Sequence, residues 1–401
     1  MYILTFSIFT FLIIELLIFF IFKKFKKNFQ WLIDNSDLYP KFSNGLIKKY
    51  NEKIFNKDLG WDNQTNKKSS EIILKDKRFK FEYNFDKEGS RITGNNFKTE
   101  KISFFGDSYA FCRCSQDNQT IQHYLEKKLK YKIKNYGVGN YGLDQVYLKI
   151  KKKINNTSKS KNIIIVFVPE TISRIHSYWK HYLEFGNILG FKPKFKIKNE
   201  KIILEKKHLS KLNQIDINKK IKILQNKDIF FEKKFLKNMF IFPYLFSFLK
   251  NTKKNSLIFY YLFLKKIFND KKYYERAFSV VVKNNLIESQ KLYNEKEYNT
   301  LLEKIIVEIN KYLKKKKKNV FFFVLPQLFD LKLNSKLIHS SNFFNSISQK
   351  YNFKIFDLTL EMRNISNIEK YYFDDFYGGH LNYRGNKLVS SIILNKVKDL
   401  L

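Results

Sequence analysis

The chain has 401 residues, and 76 lysines and arginines against 37 aspartates and glutamates give it a formal net charge of +39. Such a charge favours nucleic acids or anionic membrane surfaces as partners. However, the lysines are spread along the whole chain and only 13 glycines occur, so we find no arginine–glycine tract or other nucleic-acid-binding motif. The two cysteines, Cys112 and Cys114, are too close together for the common zinc or redox spacings.

Residues 2–22 are apolar except for one charged side chain, Glu15. A run of this length spans a bilayer as a helix. It is longer than the core of a signal peptide, and no small-residue cleavage site follows it, so we predict an uncleaved, single-pass transmembrane anchor. A cluster of lysines comes directly afterwards, and the positive-inside rule then places the rest of the chain on the cytoplasmic side: Lys23, Lys24, Lys26 and Lys27.

Residues 28–100 are polar with aromatic interludes. Polar and apolar side chains alternate between Phe79 and Tyr83, and a turn signal follows at residues 86–89. We therefore predict that residues 28–100 form an N-terminal arm, either a hairpin or an extended segment, that packs beside the main domain.

From residue 101 to residue 401, apolar strands alternate with amphipathic helices, which is typical of a mainly parallel α/β sheet with helices on both faces. The predicted strands cover residues 102–105, 131–135, 162–168, 320–325 and 353–356, and the clearest helices cover residues 120–130, 144–154 and 382–400. Between about 195 and 315, apolar residues recur at helical spacing among lysines, which predicts a helical insert. An amphipathic core helix is the favoured interpretation there, and a membrane-lying helix is the alternative.

The stretch Gly106-Asp107-Ser108 ends the first of these strands. Glycine permits a sharp turn, and the carboxyl end of a strand in an open α/β sheet is where catalytic side chains collect. A nucleophilic serine needs a base with a pKa near neutrality, which is usually histidine. Of the six histidines, His380 stands out because Asp374 and Asp375 precede it on a glycine-containing loop and a helix begins just after it. We therefore predict Ser108 as nucleophile and His380 as its base.

The GDS run, the loop of residues 135–142 and the Asp/His loop before the last helix resemble the SGNH (GDSL-type) hydrolase superfamily. The resemblance covers residues 101–180 and 319–401. It implies a three-layer α/β/α fold with a flavodoxin-like sheet, and ester hydrolysis or acyl transfer without a metal or organic cofactor. It also implies that Ser108 attacks the ester carbonyl after His380 has removed its proton.

The resemblance further implies an aspartate that orients the base. The family's usual position, three residues before His380, is occupied here by Tyr377. Asp375 is our candidate, with Asp374 as the alternative, because two glycines in a longer loop allow either carboxylate to reach back to the ring.

Two further positions correspond to the oxyanion hole of the family. Alignment on the second block places Asn140 beside Gly139 where the family has a glycine, and asparagine keeps the backbone N–H and tolerates a left-handed conformation. In the third block Glu170 replaces an asparagine, and a carboxylate donates a hydrogen bond only when it is protonated. Thr171 and Arg174 are the alternative donors.

The predicted function is that of a membrane-anchored serine esterase or O-acyltransferase that acts on ester-linked acyl groups of a glycan or lipid. Extracytoplasmic glycan chemistry would require the periplasmic side, so that location stays open beside the cytoplasmic one. Two alternatives also stay open: a catalytically impaired SGNH-like binding module in envelope polysaccharide assembly, and a membrane-tethered nucleic-acid binder. We expect the membrane and an acylated substrate as partners and no nucleic acid, and the sequence does not predict the oligomeric state.

Overall fold

The computed structural model describes residues 2–74, 78–156, 159–373 and 378–400. Its internal contacts divide the chain into two compact units. The smaller unit consists of Met1–Phe55, His176–Lys192 and His208–Asn285, and the larger unit consists of Asn56–Ile175, Pro193–Lys207 and Leu286–Leu401.

The larger unit is built on a five-stranded parallel sheet. Its strands are β1 (Glu100–Gly106), β2 (Lys132–Asn135), β3 (Asn162–Phe167), β4 (Asn319–Val324) and β5 (Ile355–Asp357). Their spatial order is β2-β1-β3-β4-β5, which is the flavodoxin-like order. The prediction of a mainly parallel, flavodoxin-like sheet is therefore confirmed. In this order the chain changes its direction across the sheet between β1 and β3, and ligands bind at such switch points.

The α-helices used below are α1 (Tyr2–Lys26), α2 (Ser108–Phe111), α3 (Ile121–Leu129), α4 (Leu143–Asn156), α5 (Thr171–His176), α6 (Tyr244–Leu249), α7 (Thr252–Phe268), α8 (Lys296–Lys315) and α9 (Tyr383–Val397). The other α-helices of the described residues are Asn44–Lys49, Lys180–Leu183, Ile217–Gln225, Lys271–Leu292, Leu328–Lys332, Ser340–Tyr351 and Thr359–Arg363. Two-stranded antiparallel pairs join Lys68–Leu74 to Arg78–Asn84, Lys194–Lys198 to Lys201–Glu205, and Tyr372–Phe373 to His380–Leu381.

Helices cover both faces of the sheet because its strands are apolar on both faces. The central strand β3 reads NIIIVF and is buried along its whole length, as expected for a parallel strand between two helical layers. On one face, alternate residues such as Phe104 and Phe323 share a core with Leu125 of α3 and Val389 of α9. Helices α4 and α8 pack against each other and against β1 and β4. The predicted three-layer arrangement is thus observed.

The predicted arm and insert are seen in part. The arm contains a hairpin, in which Arg78–Asn84 pairs with the preceding strand Lys68–Leu74. The turn predicted at residues 86–89 joins only the single bridge between Phe85 and Arg91. The insert predicted at about 195–315 is not wholly helical, because the hairpin of Lys194–Lys198 and Lys201–Glu205 lies at its start. Its last helix, α8, packs on β4 as part of the sheet's helical layer. The division into an anchor at 2–22, an arm at 28–100 and a hydrolase domain at 101–401 stays a prediction.

Helix α1 belongs to the smaller unit. Among the described residues it is the one helix that is long and apolar enough to cross a membrane. Length and composition alone single it out, so the membrane anchor and the side on which the chain lies stay predictions.

Candidate active site

Ser108 is the first residue of α2, directly beyond the carboxyl end of β1. Asp107 caps this helix, because its carboxylate accepts the N–H of Tyr109 at 2.9 Å. The backbone of Gly106 has φ of +148°, and a Cβ at this position would collide with the carbonyl oxygen of Val166. Only glycine therefore lets the end of β1 pass so close to β3. The glycine and the cap together place the hydroxyl of Ser108 at the switch point of the sheet.

His380 reaches Ser108 from the far end of the chain. Its Nε2 lies 2.8 Å from Ser108 Oγ, so the serine hydroxyl can donate a hydrogen bond to the ring. The hydroxyl of Tyr109 donates to the carbonyl of Gly379 at 2.6 Å, and its ring lies 5.1 Å from the imidazole. The structure thus brings together the two residues that the sequence proposes as nucleophile and base, 272 positions apart.

Two consecutive glycines shape the loop that carries His380. Gly378 and Gly379 have φ of +106° and +78°, which disfavours any side chain at these positions. A Cβ on Gly378 would also collide with Gln327 Oε1, and one on Gly379 would lie 2.7 Å from Leu328 Cβ. The loop therefore packs directly against the segment after β4, which fixes the direction from which His380 approaches Ser108.

The orienting aspartate is not placed by the structure. Asp374 and Asp375 lie outside the described residues, so their proposed role stays a prediction. Two described carboxylates, Glu71 and Asp107, interact electrostatically with His380. Burial opposes ionisation of Glu71, but hydrogen bonds from Arg113 and from the Tyr83 hydroxyl hold its pKa below the usual value. Sequence reasoning missed Glu71 because its partner Arg113 lies 42 positions away.

Arg174 joins Asp107 to Glu170. Its Nη1 donates to the carboxylate of Asp107 at 3.2 Å, and its Nη2 donates to that of Glu170 at 2.6 Å. Burial raises the pKa of Asp107, while the Arg174 guanidinium and the backbone N–H groups of Tyr109 and Val168 oppose this rise. Glu170, directly before α5, is therefore held in an ion pair with Arg174, four residues further along the chain.

Thr171, the other alternative donor, is also engaged. Its Oγ1 accepts the N–H of Leu143 at 3.0 Å. This contact joins the start of α5 to the start of α4, so Thr171 has a structural role there.

The loop that contains Gly139 and Asn140 lies between β2 and α4. Asn140 adopts a left-handed backbone conformation, with φ of +66°, which asparagine tolerates. Within the part of the chain that the structure describes, its backbone N–H donates no hydrogen bond, and a Cβ on Gly139 would meet open space. A Cβ on Gly137 would collide with the backbone of Phe111 in α2, so this loop packs closely beside the nucleophile helix. An amide donor for an oxyanion is thus free at the predicted place, while its role stays a prediction.

Side chains of the N-terminal arm support this loop. Trp61 Nε1 donates to the carbonyl of Gly139 at 3.1 Å, and Asn63 Nδ2 donates to that of Gly137 at 2.9 Å. Tyr141 returns a hydrogen bond from its hydroxyl to the carbonyl of Trp61. No local sequence pattern predicts these contacts, because they join positions more than 70 residues apart.

Arg91 is buried and holds the segment that follows α2. Its guanidinium donates to the carbonyls of Phe111, Cys112 and Ser115, and its Nε donates to Asp117 at 2.9 Å. The sequence offered no reason to expect this role for a single arginine after a turn. The structure shows that Arg91 stabilises the backbone directly beyond the nucleophile helix.

Cys112 is the other nucleophilic side chain close to Ser108 in the sequence. It is free and buried, and burial raises the pKa of its thiol to about 11. A thiol is a weak nucleophile until it ionises, so burial disfavours Cys112 as a nucleophile. Among the described residues, no group of three or more His, Cys, Asp or Glu side chains is placed to hold a metal ion.

No family model matches the chain, and no curated protein matches it. Solved structures with a similar fold include a member of the lipolytic protein G-D-S-L family from Veillonella parvula, with 10% identity and a TM-score of 0.37 over 76% of this chain and 98% of that one. A putative lipolytic protein of the same family from Desulfitobacterium hafniense has 8% identity and a TM-score of 0.36 over 75% and 99%. The lipase/acylhydrolase from Enterococcus faecalis has 11% identity and a TM-score of 0.34 over 75% and 96%. At these values we base the functional assignment on the contacts of Ser108 and His380 within this chain.

Proposed function

We propose that the chain is a serine esterase or O-acyltransferase of SGNH type. The observation that supports it best is the 2.8 Å separation of Ser108 Oγ and His380 Nε2 at the switch point of a flavodoxin-like sheet. A hydrogen-bonded serine and histidine at such a position form the nucleophile and base of acyl-transfer chemistry.

In the proposed reaction, His380 takes the proton of Ser108 as the serine oxygen attacks an ester carbonyl. The backbone N–H groups of Ser108 and Asn140 donate to the oxyanion of the tetrahedral intermediate. His380 then gives its proton to the leaving alcohol, which leaves an acyl group on Ser108. Water or a sugar hydroxyl, deprotonated by His380, attacks this acyl-enzyme and restores the serine. Asp375, or else Asp374, orients the imidazole in this scheme.

The ion pair of Glu170 with Arg174 supports a role for Glu170 other than that of an oxyanion donor. Its carboxylate accepts from Arg174 at 2.6 Å, and Arg174 also holds Asp107, the cap of the nucleophile helix. We infer that Glu170 positions Arg174 and thereby the start of α2. The oxyanion is then left to backbone amides, which is chemically sufficient for acyl transfer.

The acyl donor belongs to the class of ester-linked acyl groups on a glycan or lipid. Membrane attachment through α1 is compatible with either class. A catalytically impaired binding module is the second candidate, and the replacement of the family's asparagine by Glu170 is the observation that favours it.

Hydrolysis of short-chain aryl esters by the full chain in detergent tests the proposal. We expect turnover by the parent, and a fall of about a thousandfold or more in kcat for Ser108→Ala, because the remaining donors cannot replace the nucleophile. Ser391→Ala, at a partly exposed position of α9, is the matched control and should keep the parent rate. Equal rates for the parent and Ser108→Ala would contradict the proposal, and no turnover of any ester in a broad panel would favour the binding module.

A further inference from the structure

Glu15 is the one charged side chain in the apolar part of α1, and it is buried. Its carboxylate accepts the N–H groups of Tyr244 at 2.5 Å and Leu245 at 2.7 Å. These are the first two residues of α6, and the amides at a helix start have no acceptor within the helix. Glu15 therefore caps α6 from the side of α1.

Aromatic contacts continue this association along the second half of α1. The ring of Phe19 lies 5.1 Å from that of Tyr244, and the ring of Phe22 stacks on Phe240 at 4.6 Å. Nearer the basic end of α1, Phe25 meets Phe259 of α7. The segment from Phe240 to the end of α6 thus lies beside α1 between Glu15 and Phe22, and α7 contacts the helix at its lysine-rich end.

The position of Glu15 along α1 determines how deep the start of α6 would lie in a bilayer. A helix rises about 1.5 Å per residue, so Glu15 is about 12 Å along the axis from Lys23, the first of the basic residues. If α1 crosses a bilayer whose hydrocarbon core is about 30 Å thick, Glu15 lies well inside that core. Whatever contacts Glu15 lies at the same depth, so the start of α6 must be inside the hydrocarbon too. Non-helical backbone is tolerated there only when its polar groups are satisfied by protein, and Glu15 satisfies two of them.

The outward surface of this region is apolar. Phe242, Phe246 and Leu249 are each at least half exposed in the smaller unit. On α7, the exposed side chains Tyr260, Phe263 and Ile267 recur at helical spacing and form one face. Soluble surfaces rarely expose so many large apolar side chains in two neighbouring segments of the chain.

Positive charge surrounds the same region. Between residues 250 and 272 there are seven lysines and a single acidic residue, Asp270. Where the basic end of α1 meets the end of α7, Lys24, Lys265 and Lys266 line a pocket of about 280 Å³ whose floor includes Phe25 and Leu262. Exposed aromatic side chains together with flanking lysines are typical of an element that lies in the membrane interface, where the rings enter the acyl region and the lysines meet the phosphate groups.

We propose that residues 240–268 form a second membrane-binding element beside α1, whose partner is a phospholipid bilayer. The segment that carries Phe242 and Phe246 enters the hydrocarbon with its backbone capped by Glu15. Helix α7 lies in the interface, with Phe263 among the acyl chains and its lysines at the phosphate groups. This inference rests on the predicted insertion of α1 and is independent of the chemistry at Ser108.

Spin-label accessibility in the full chain tests the proposal. Single cysteines replace Leu12 of α1, Phe246 and Phe263, each exposed, and Leu360, which is exposed on the larger unit. Each variant carries a nitroxide and is reconstituted into vesicles of phosphatidylcholine and phosphatidylglycerol. The native Cys112 and Cys114 are buried, and the labelled parent provides their background. Oxygen concentrates in lipid and a nickel chelate stays in water, so the ratio of their collision rates reports depth.

We expect an oxygen-to-nickel ratio for the Phe246→Cys and Phe263→Cys labels severalfold above that of the Leu360→Cys label, with Phe246→Cys the deeper of the two. A lipid-like ratio at Leu12→Cys combined with a water-like ratio at either Phe246→Cys or Phe263→Cys would overturn the proposal while α1 remains an anchor. Water-like ratios at all four positions would overturn both the proposed second membrane-binding element and the predicted insertion of α1. Ester hydrolysis by the same variants separates either failure from that of the proposed function.

Discussion

The two units use the same apolar side chains in opposite ways. In the larger unit, Phe104 and Phe323 have no exposed surface and lie between the sheet and its helices. In the smaller unit, Phe246 and Phe263 are more than half exposed. A phenylalanine that is exposed to water gains nothing from the hydrophobic effect, whereas the same side chain in lipid does. The contrast agrees with the proposal that a bilayer covers the exposed apolar side chains of the smaller unit.

The buried charged groups of the two units also have different kinds of partner. In the larger unit, buried charges such as Asp107 and Arg174 are paired with each other next to Ser108. In the smaller unit, Glu15 is buried against backbone amides of another helix. Asp107 caps the helix that carries Ser108, and Glu15 caps the start of α6 from the side of α1. The predictions below test this comparison, beginning with the largest expected effect.

Replacement of His380 by glutamine should remove catalysis and leave the fold intact. Glutamine keeps a polar side chain near Ser108 Oγ but cannot accept its proton at neutral pH. We expect kcat for ester hydrolysis to fall by about a thousandfold or more, with an unchanged free energy of unfolding. Steady-state kinetics with an aryl ester and urea unfolding of the same preparation measure the two quantities. His339→Gln is the matched control, and a comparable loss of activity in that variant would contradict the assignment.

A pair of alanine substitutions compares the two environments of phenylalanine directly. Phe323→Ala should lower the free energy of unfolding by about 3–5 kcal/mol, because a cavity opens in a fully buried core. Phe263→Ala should change it by less than about 0.5 kcal/mol in detergent, because the side chain is mostly exposed. Denaturant unfolding followed by circular dichroism gives both values. Equal losses would mean that Phe263 is packed against protein, and the comparison would fail.

Replacement of Arg174 by methionine should leave two carboxylates without their shared partner. Loss of one member of a buried ion pair costs about 3–5 kcal/mol, and here Asp107 is wholly buried. We expect a loss of about 3 kcal/mol, and a fall in kcat because Asp107 caps the helix of Ser108. The double variant with Glu170→Gln should recover part of the stability, since one of the two unpaired charges is then gone. A double variant that is less stable than Arg174→Met alone would show that Glu170 does not depend on this pairing.

The sequence predicts the residues whose role depends on local pattern, and it misses those whose role depends on distant contacts. Continuous apolar runs predict the strands, and the turn after β1 points to Ser108. The order β2-β1-β3-β4-β5 depends on packing between distant segments, so no local pattern contains it. For the same reason the roles of Arg91 and Glu71 emerge only in the structure: their partners lie on other elements, 26 and 42 residues away.

The insert at about 195–315 also shows what a local sequence pattern cannot predict. The spacing of its apolar residues predicts amphipathic helices, but periodicity cannot tell whether the apolar face meets protein or lipid. That distinction depends on the neighbours of each face. On α7 the face of Tyr260, Phe263 and Ile267 is exposed, while Ile258 and Leu262 are buried. The alternative of a membrane-lying helix, which the sequence left open, is therefore the one that we propose for this element.

Replacement of Glu15 by alanine should cost less stability than the loss of Arg174, and it tests the smaller unit by itself. The change leaves the N–H groups of Tyr244 and Leu245 without their acceptor, which costs about 1–3 kcal/mol when water cannot replace it. Glu15→Gln should lose less, because its amide oxygen still accepts a hydrogen bond. Thermal unfolding in vesicles gives the three stabilities, with Leu12→Ala on the exposed side of α1 as the control. If Glu15→Ala unfolds at the parent temperature, water reaches the start of α6, and this segment does not lie in the hydrocarbon.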